Sequence, residues 1–290
     1  MAQGDADGGG RTALITGAAG GLGSALAAAL AQRGWRIVAH GRDPARGEAL
    51  CADLVRAGAP AARYLDADLA SAAAVAGLAD RLIESEPRLD LLVNNAGIGM
   101  AGGAGSDPPP IWEVNYLAAY LLIRKLAPLL ERGSDAQIVN IASAGQFPLD
   151  LRAGTVRTAS AAVPLYGQSK LALIMATIGL APSLAERGVR INAIHPATLM
   201  DTRMTAELSA LKMKGPIGWL IKRRLRPRCT AADGASNVIR LIEDPARPTG
   251  LYYKGARPGQ AKPQAYDAAA RRALLDLSES RLTALLGAEV

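Results

Sequence analysis

A tyrosine and a lysine four positions apart, Tyr166 and Lys170, lie in a stretch whose apolar spacing predicts a helix over residues 163–187. Both side chains therefore share one helix face. An isolated phenol has a pKa of about 10 and exchanges protons poorly at neutral pH. A lysine cation beside it favours the phenolate and draws that value down towards working pH. Such a pair can give a proton to a carbonyl oxygen or take one from an alcohol. Ser143, one residue beyond an apolar run over 137–142 that reads as a strand, is placed to donate a hydrogen bond to the same oxygen. The chemistry these three imply is proton transfer at a carbon–oxygen bond.

A second group of residues points to a phosphate-bearing cofactor. The run Thr16-Gly17-Ala18-Ala19-Gly20-Gly21-Leu22-Gly23 follows a short apolar strand and opens an Ala-rich helix. Glycine there allows a tight turn and close backbone approach to a pyrophosphate, and the helix start offers unpaired N–H groups with a partial positive charge. No Gly-Lys-Ser/Thr follows, so a nucleotide-triphosphate loop of the Walker type is not expected. At the end of the second strand stands His40-Gly41-Arg42-Asp43. Sites that prefer NAD place an acid near this point to accept the ribose hydroxyls, whereas an arginine pairs with a 2′-phosphate. Gly41 takes the place of that acid and Arg42 follows it. NADP(H) is thus expected ahead of NAD(H), with Asp43 in the acidic role as the alternative.

The elements that must position these residues alternate along the chain. Apolar runs at 12–15, 36–39, 64–65, 89–93, 137–142 and 189–194 read as strands. Between them, 22–33, 44–57, 71–84, 111–131 and 163–187 read as helices. Short apolar strands separated by helices imply parallel pairing with both sheet faces covered. Right-handed crossovers then give an α/β, doubly wound (Rossmann) domain. It spans residues 11–290, after a Gly- and Asp-rich leader, 1–10, expected to be disordered. Pro182 is expected to kink or interrupt the second long helix.

In order and spacing the chain resembles the short-chain dehydrogenase/reductase family. The motifs are Thr16-Gly17-x-x-x-Gly21-x-Gly23, Asp68-Leu69, Asn94-Asn95-Ala96-Gly97, Asn115, Ser143 and Tyr166-x-x-x-Lys170. The resemblance implies NAD(P)-dependent carbonyl/alcohol redox chemistry and a parallel seven-stranded sheet with residues 251–254 as its last strand. It also gives roles to single residues. Lys170 would hold the nicotinamide ribose hydroxyls, and Asn115 would hold a water that relays protons to solvent. Asp68 would meet the adenine edge, with Leu69 beside it, and Asn94, Ala96 and Gly97 would form the adenosine wall. After the sixth strand the family's usual Pro-Gly is Pro196-Ala197 here, so either Thr198 or Thr202 would reach the nicotinamide carboxamide. The 23 residues from Ser143 to Tyr166, with a C-terminal extension, are similar to the retinol-dehydrogenase and protochlorophyllide-reductase branch.

The substrate side reads as apolar. Phe147, Leu149, Leu151 and Val163 precede or open the Tyr166 helix, and a small helical lid is expected over residues 203–228, carrying Trp219. This composition suits a medium or large apolar ketone or alcohol. The expected function is an NADP(H)-dependent ketoreductase. The alternatives are an NADP(H)-sensing binding protein without turnover, or an epimerase or dehydratase on the same fold.

Composition narrows the setting. The 290 residues are 50% hydrophobic and 20% charged, ordinary for a globular chain. His40 and His195 match no metal pattern, and Cys51 and Cys229 are far apart, so no metal is expected and a reduced, cytoplasmic location is. Aromatic residues, at 4%, are too few for a base-stacking platform. The basic run from Lys222 to Arg228 reads as a solvated lid face rather than a nucleic-acid contact. No uninterrupted apolar run reaches the roughly 18 residues of a membrane span. The second long helix carries more apolar positions than one buried face needs. That surplus predicts a homodimer, unless the helical extension over 263–287 covers it within the chain.

Overall fold

The computed structural model describes residues 10–99, 110–151, 161–198, 200 and 229–287. Residues 1–9 of the leader, most of the loop after Gly99, the lid, Thr202 and the basic run lie outside the described residues.

Eight strands form one sheet: β1 (Thr12–Thr16), β2 (Arg36–Gly41), β3 (Ala62–Asp66), β4 (Leu91–Asn94), β5 (Gln137–Ile141), β6 (Arg190–His195), β7 (Tyr252–Lys254) and β8 (Arg257–Pro258). Their order is β3-β2-β1-β4-β5-β6-β7-β8. The first seven are parallel, with Thr12 beside Arg36 and Ala13 beside Leu91. The expected sheet had seven parallel strands, and the eighth is a short antiparallel addition at the β7 edge. Gly255, at φ 60°, opens a two-residue turn that returns the chain, and the Gly259 N–H donates to the Tyr252 carbonyl at 2.7 Å. Such tight hairpins need a positive φ, which glycine supplies without steric cost.

Helices cover both faces. On one, α1 (Gly21–Ala31), α2 (Pro44–Arg56) and α6 (Ala231–Ile242) bury Leu26, Leu30, Leu54 and Val238 against the sheet. On the other, α3 (Ala72–Ser85), α4 (Ala118–Glu131), α5 (Ala162–Glu186) and α7 (Ala268–Leu286) bury Leu78, Leu122, Ile174 and Leu274. Asp43, Ser71, Thr230 and Asp267 cap the starts of α2, α3, α6 and α7 with side-chain oxygens. Strand order reverses between β1 and β4, so their carboxyl ends diverge and leave a crevice, the usual ligand position in open α/β sheets.

Pro182 does not interrupt α5. It lies exposed near the helix end, where its missing N–H removes a single bond, and the helix runs on to Glu186. Continued in this way, α5 is long and apolar enough to pass as a membrane-crossing helix, but 72% of that window is buried inside the molecule. The expected surplus of apolar surface on α5 is met from within the chain by α7. Gly179 of α5 lies directly under Leu275, whose Cδ1 would stand 3.0 Å from a Cβ there. Next to it the Tyr116 hydroxyl and Ser278 Oγ are 2.6 Å apart, and Tyr120 donates to Glu279 at 2.6 Å.

Candidate active site

A cleft of about 640 Å³ opens at the carboxyl ends of the strands. Its floor at the β1–α1 turn is backbone. Gly17 has φ 65°, and a Cβ there would stand 3.0 Å from Ala96 Cα. The N-terminus of α1, unlike those of α2 and α3, has no side-chain cap, so no side chain competes with an anion for its first N–H groups. Gly20, Gly21 and Leu22 line the cleft. Gly23 does not: a Cβ there would collide with the Gly17 carbonyl and come within 2.7 Å of Asn95 Nδ2. The expectation that Gly23 contacts cofactor is therefore corrected to one of close packing beneath the turn.

The wall after β4 also departs from expectation. Asn94 is 4% exposed and points into the core, where its Nδ2 donates to Asn140 Oδ1 at 2.8 Å. Strand alternation turns residue 94 inward, so it is Asn95 that faces the cleft. Asn95 Nδ2 donates to the Thr16 carbonyl at 2.8 Å, and the Asn95 and Ala96 N–H groups both donate to Thr16 Oγ1 at 3.0 Å. These bonds join the β1–α1 turn to the segment after β4. Asn95 lay inside the motif already singled out; only the strand register separates it from Asn94.

Arg42, Asp68 and Leu69 line the end beyond β2, joined by Asp43 and Arg46. His40, also on the wall, has no role that the sequence assigns, since a single histidine at a strand end carries no pattern. Burial lowers its pKa to about 4, so it is neutral at physiological pH. Its Nδ1 accepts from the Gly17 N–H at 3.4 Å, and Nε2 can then donate to the Ala67 carbonyl at 3.2 Å. The phosphate turn, β2 and the start of the Asp68 loop are thereby held together.

Ser143, Tyr166 and Lys170 meet at the opposite end. Ser143 follows β5 and lines the cleft together with Tyr166, its hydroxyl opposing the rise that burial imposes on the phenol. Tyr252 and Gln146 donate to the Ser143 carbonyl, each at 3.0 Å. The anticipated lowering of Tyr166 by Lys170 is not what the arrangement gives. Burial raises the phenol, and only the Ser143 hydrogen bond opposes it. Lys170 Nζ instead donates to the Ile141 carbonyl at 2.9 Å and stands 5.8 Å from the phenol ring centre. Desolvation lowers the lysine itself to about 8. Tyr166 is thus held as the neutral phenol, the form that can donate a proton.

Asn115, 1% exposed, sits behind this group in a π-helical turn, Glu113–Leu117, that leads into α4. Its Oδ1 accepts from the Ile98 N–H at 2.8 Å and its Nδ2 donates to the Ile98 carbonyl at 3.0 Å. A Cβ on Gly97 would lie 3.2 Å from Asn115 Oδ1 and 3.5 Å from Lys170 Nζ, so that glycine lets both side chains approach. Pro196 and Thr198 line the cleft, with Thr198 Oγ1 2.9 Å from His195 Nε2. The mouth is apolar: Phe147 and Val163 line it at 43% and 47% exposure.

A family model described as short chain dehydrogenase matches residues 11–212. The chain belongs to that family. The Homo sapiens protein retinol dehydrogenase 13 is 30% identical over 287 residues, covering 91% of this chain and 82% of that one. Dehydrogenase/reductase SDR family member 13 of Bos taurus is 31% identical over 281 residues, 93% of this chain and 72% of that one. This short-chain dehydrogenase therefore falls in the retinol-dehydrogenase-like branch. Among solved structures, a short chain dehydrogenase from Burkholderia cenocepacia in complex with NADP superposes with a TM-score of 0.66 at 31% identity, covering 86% of this chain and 98% of that one. The Pseudomonas aeruginosa RhlG/NADP active-site complex gives 0.67 at 27% identity, covering 86% and 96%.

Proposed function

We propose that this short-chain dehydrogenase is an NADP(H)-dependent ketone/alcohol oxidoreductase that reduces a medium-to-large apolar carbonyl compound. The carrying observation is one cleft with an uncapped helix start and Arg42 at one end and Ser143, Tyr166 and an apolar mouth at the other. The residues present fit the cofactor. The α1 N-terminus would take the pyrophosphate, Arg42 the 2′-phosphate, Asp68 and Leu69 the adenine side, and Lys170 the nicotinamide ribose. Bound there, NADPH supplies the hydride. The protein's own part is to hold the carbonyl oxygen between the Ser143 hydroxyl and the Tyr166 phenol, and to deliver the phenolic proton as negative charge develops. A phenol kept neutral by burial suits this reductive direction. The NADP complexes among the structural relatives, and relatives whose names carry retinol, agree with the cofactor and with an apolar substrate.

The test is NADPH oxidation with ketones of increasing chain length, repeated with NADH. Turnover is expected with NADPH, more efficient for long apolar ketones than for acetone. Tight NADPH binding without turnover of any carbonyl compound would overturn this reading in favour of a sensing protein.

A further inference from the structure

Arg42 is one residue of a short turn, and the turn is held from below by a side chain with no assigned role. Tyr64, on β3, sends its ring beneath the turn between β2 and α2. Its hydroxyl accepts a hydrogen bond from the Asp43 N–H at 3.0 Å. A Cβ at Gly41 would lie 2.6 Å from that hydroxyl, while the nearest ring carbons would be 3.4 Å away. A Cβ at Gly47, in the first turns of α2, would run into the ring itself. Two glycines and one main-chain hydrogen bond therefore bracket Arg42, and all three converge on the same phenol. Asp43 adds to the fixation, because its side chain also caps α2 through the Arg46 N–H at 3.2 Å.

Position 41 is also where a site for NAD would carry its ribose-binding acid. The Tyr64 hydroxyl fills the space that the first carbon of such a side chain would need. We propose that Tyr64 is a positioning residue for cofactor choice: it fixes the turn that presents Arg42 to the 2′-phosphate and keeps an acid out of position 41. This rests on the NADP(H) reading above. Preference for the phosphorylated cofactor is then set twice, by attraction at Arg42 and by exclusion at Gly41.

The experiment is a double-mutant cycle read as direct binding, with Kd for NADPH and NADH from fluorescence titration of the full chain. Tyr64→Phe keeps the ring and removes the hydroxyl. It is expected to weaken NADPH by roughly three- to ten-fold, the range of one neutral hydrogen bond. NADH, which has no 2′-phosphate, should stay within about two-fold, and this also shows the variant to be folded. Gly41→Ala alone should cost a similar factor by displacing the hydroxyl. In the Tyr64→Phe background it should cost nothing further, since the remaining ring contact at 3.4 Å is an ordinary one. Equal weakening of both cofactors, or two losses that multiply, would overturn the proposal. A wild-type protein that binds both cofactors alike would instead remove the NADP(H) reading on which it stands.

Discussion

At the scale of single residues, burial sets the protonation of the two titratable groups in the site. Burial raises the Tyr166 phenol and lowers the Lys170 ammonium to about 8. Removing the phenolic proton donor by Tyr166→Phe is expected to lower kcat by about 10²–10⁴, while NADPH Kd stays within a few-fold. Stopped-flow turnover and fluorescence titration check the two halves, and a variant with wild-type kcat would exclude Tyr166 as the proton source. The lysine gives the pH dependence. Its charge is present below about pH 8 and is lost above it, so kcat/KM for reduction should fall as pH rises through that value. The sign for stability is opposite. Between about 8 and the ordinary lysine value of 10.5 the unfolded chain holds the extra proton, so this group's contribution to stability rises with pH. Activity lost while thermal stability is retained would thus identify titration rather than unfolding. A reductive profile flat from pH 7 to 10 would contradict the role given to Lys170.

At the scale of elements, the apolar mouth of the cleft is built from two parts of the chain that are far apart in sequence. Gln264, in a short 3₁₀ turn before α7, accepts from the Leu149 N–H at 2.8 Å and donates to the Leu149 carbonyl at 2.9 Å. Gln146 reaches the other way and accepts from the Lys262 N–H at 2.9 Å. Between them stands Phe147, packed directly on Gly167, the residue after Tyr166. Gln264→Ala removes both bonds to Leu149, a loss of about 1–3 kcal/mol in stability. Loosening Phe147 should raise KM for a long-chain ketone several-fold and leave kcat for a small one unchanged. Steady-state kinetics on the two ketones decides; equal effects on both would mean that the clasp does not shape the wall.

At the scale of the whole molecule, the C-terminal helix covers the apolar face of α5 on which a partner was expected. Leu274 and Leu282 of α7 are fully buried, and Arg281 and Glu279 pair with Glu113 and Arg124 beside the π-helical turn. A second copy packed on this face of α4 and α5 would have to displace α7. The expected mass by light scattering at micromolar concentration is therefore near 30.0 kDa, the mass of one chain. About twice that value would show that association uses a different face.

The sequence by itself determined the order of elements, the phosphate turn and the Ser143, Tyr166 and Lys170 set, because periodicity, glycine runs and i,i+4 spacing are local properties. It could not separate Asn94 from Asn95, since one residue of strand register exchanges core for cleft and both readings satisfy the same motif. Nor could it show Gly23 as a packing residue, Tyr64 beneath Gly41, or Gln264 on Leu149, because those contacts join segments whose separation along the chain carries no signal. The upward shift of the Tyr166 phenol has the same kind of origin. Spacing put a lysine on its helix face, but desolvation depends on everything packed around the phenol, and only the tertiary structure supplies that.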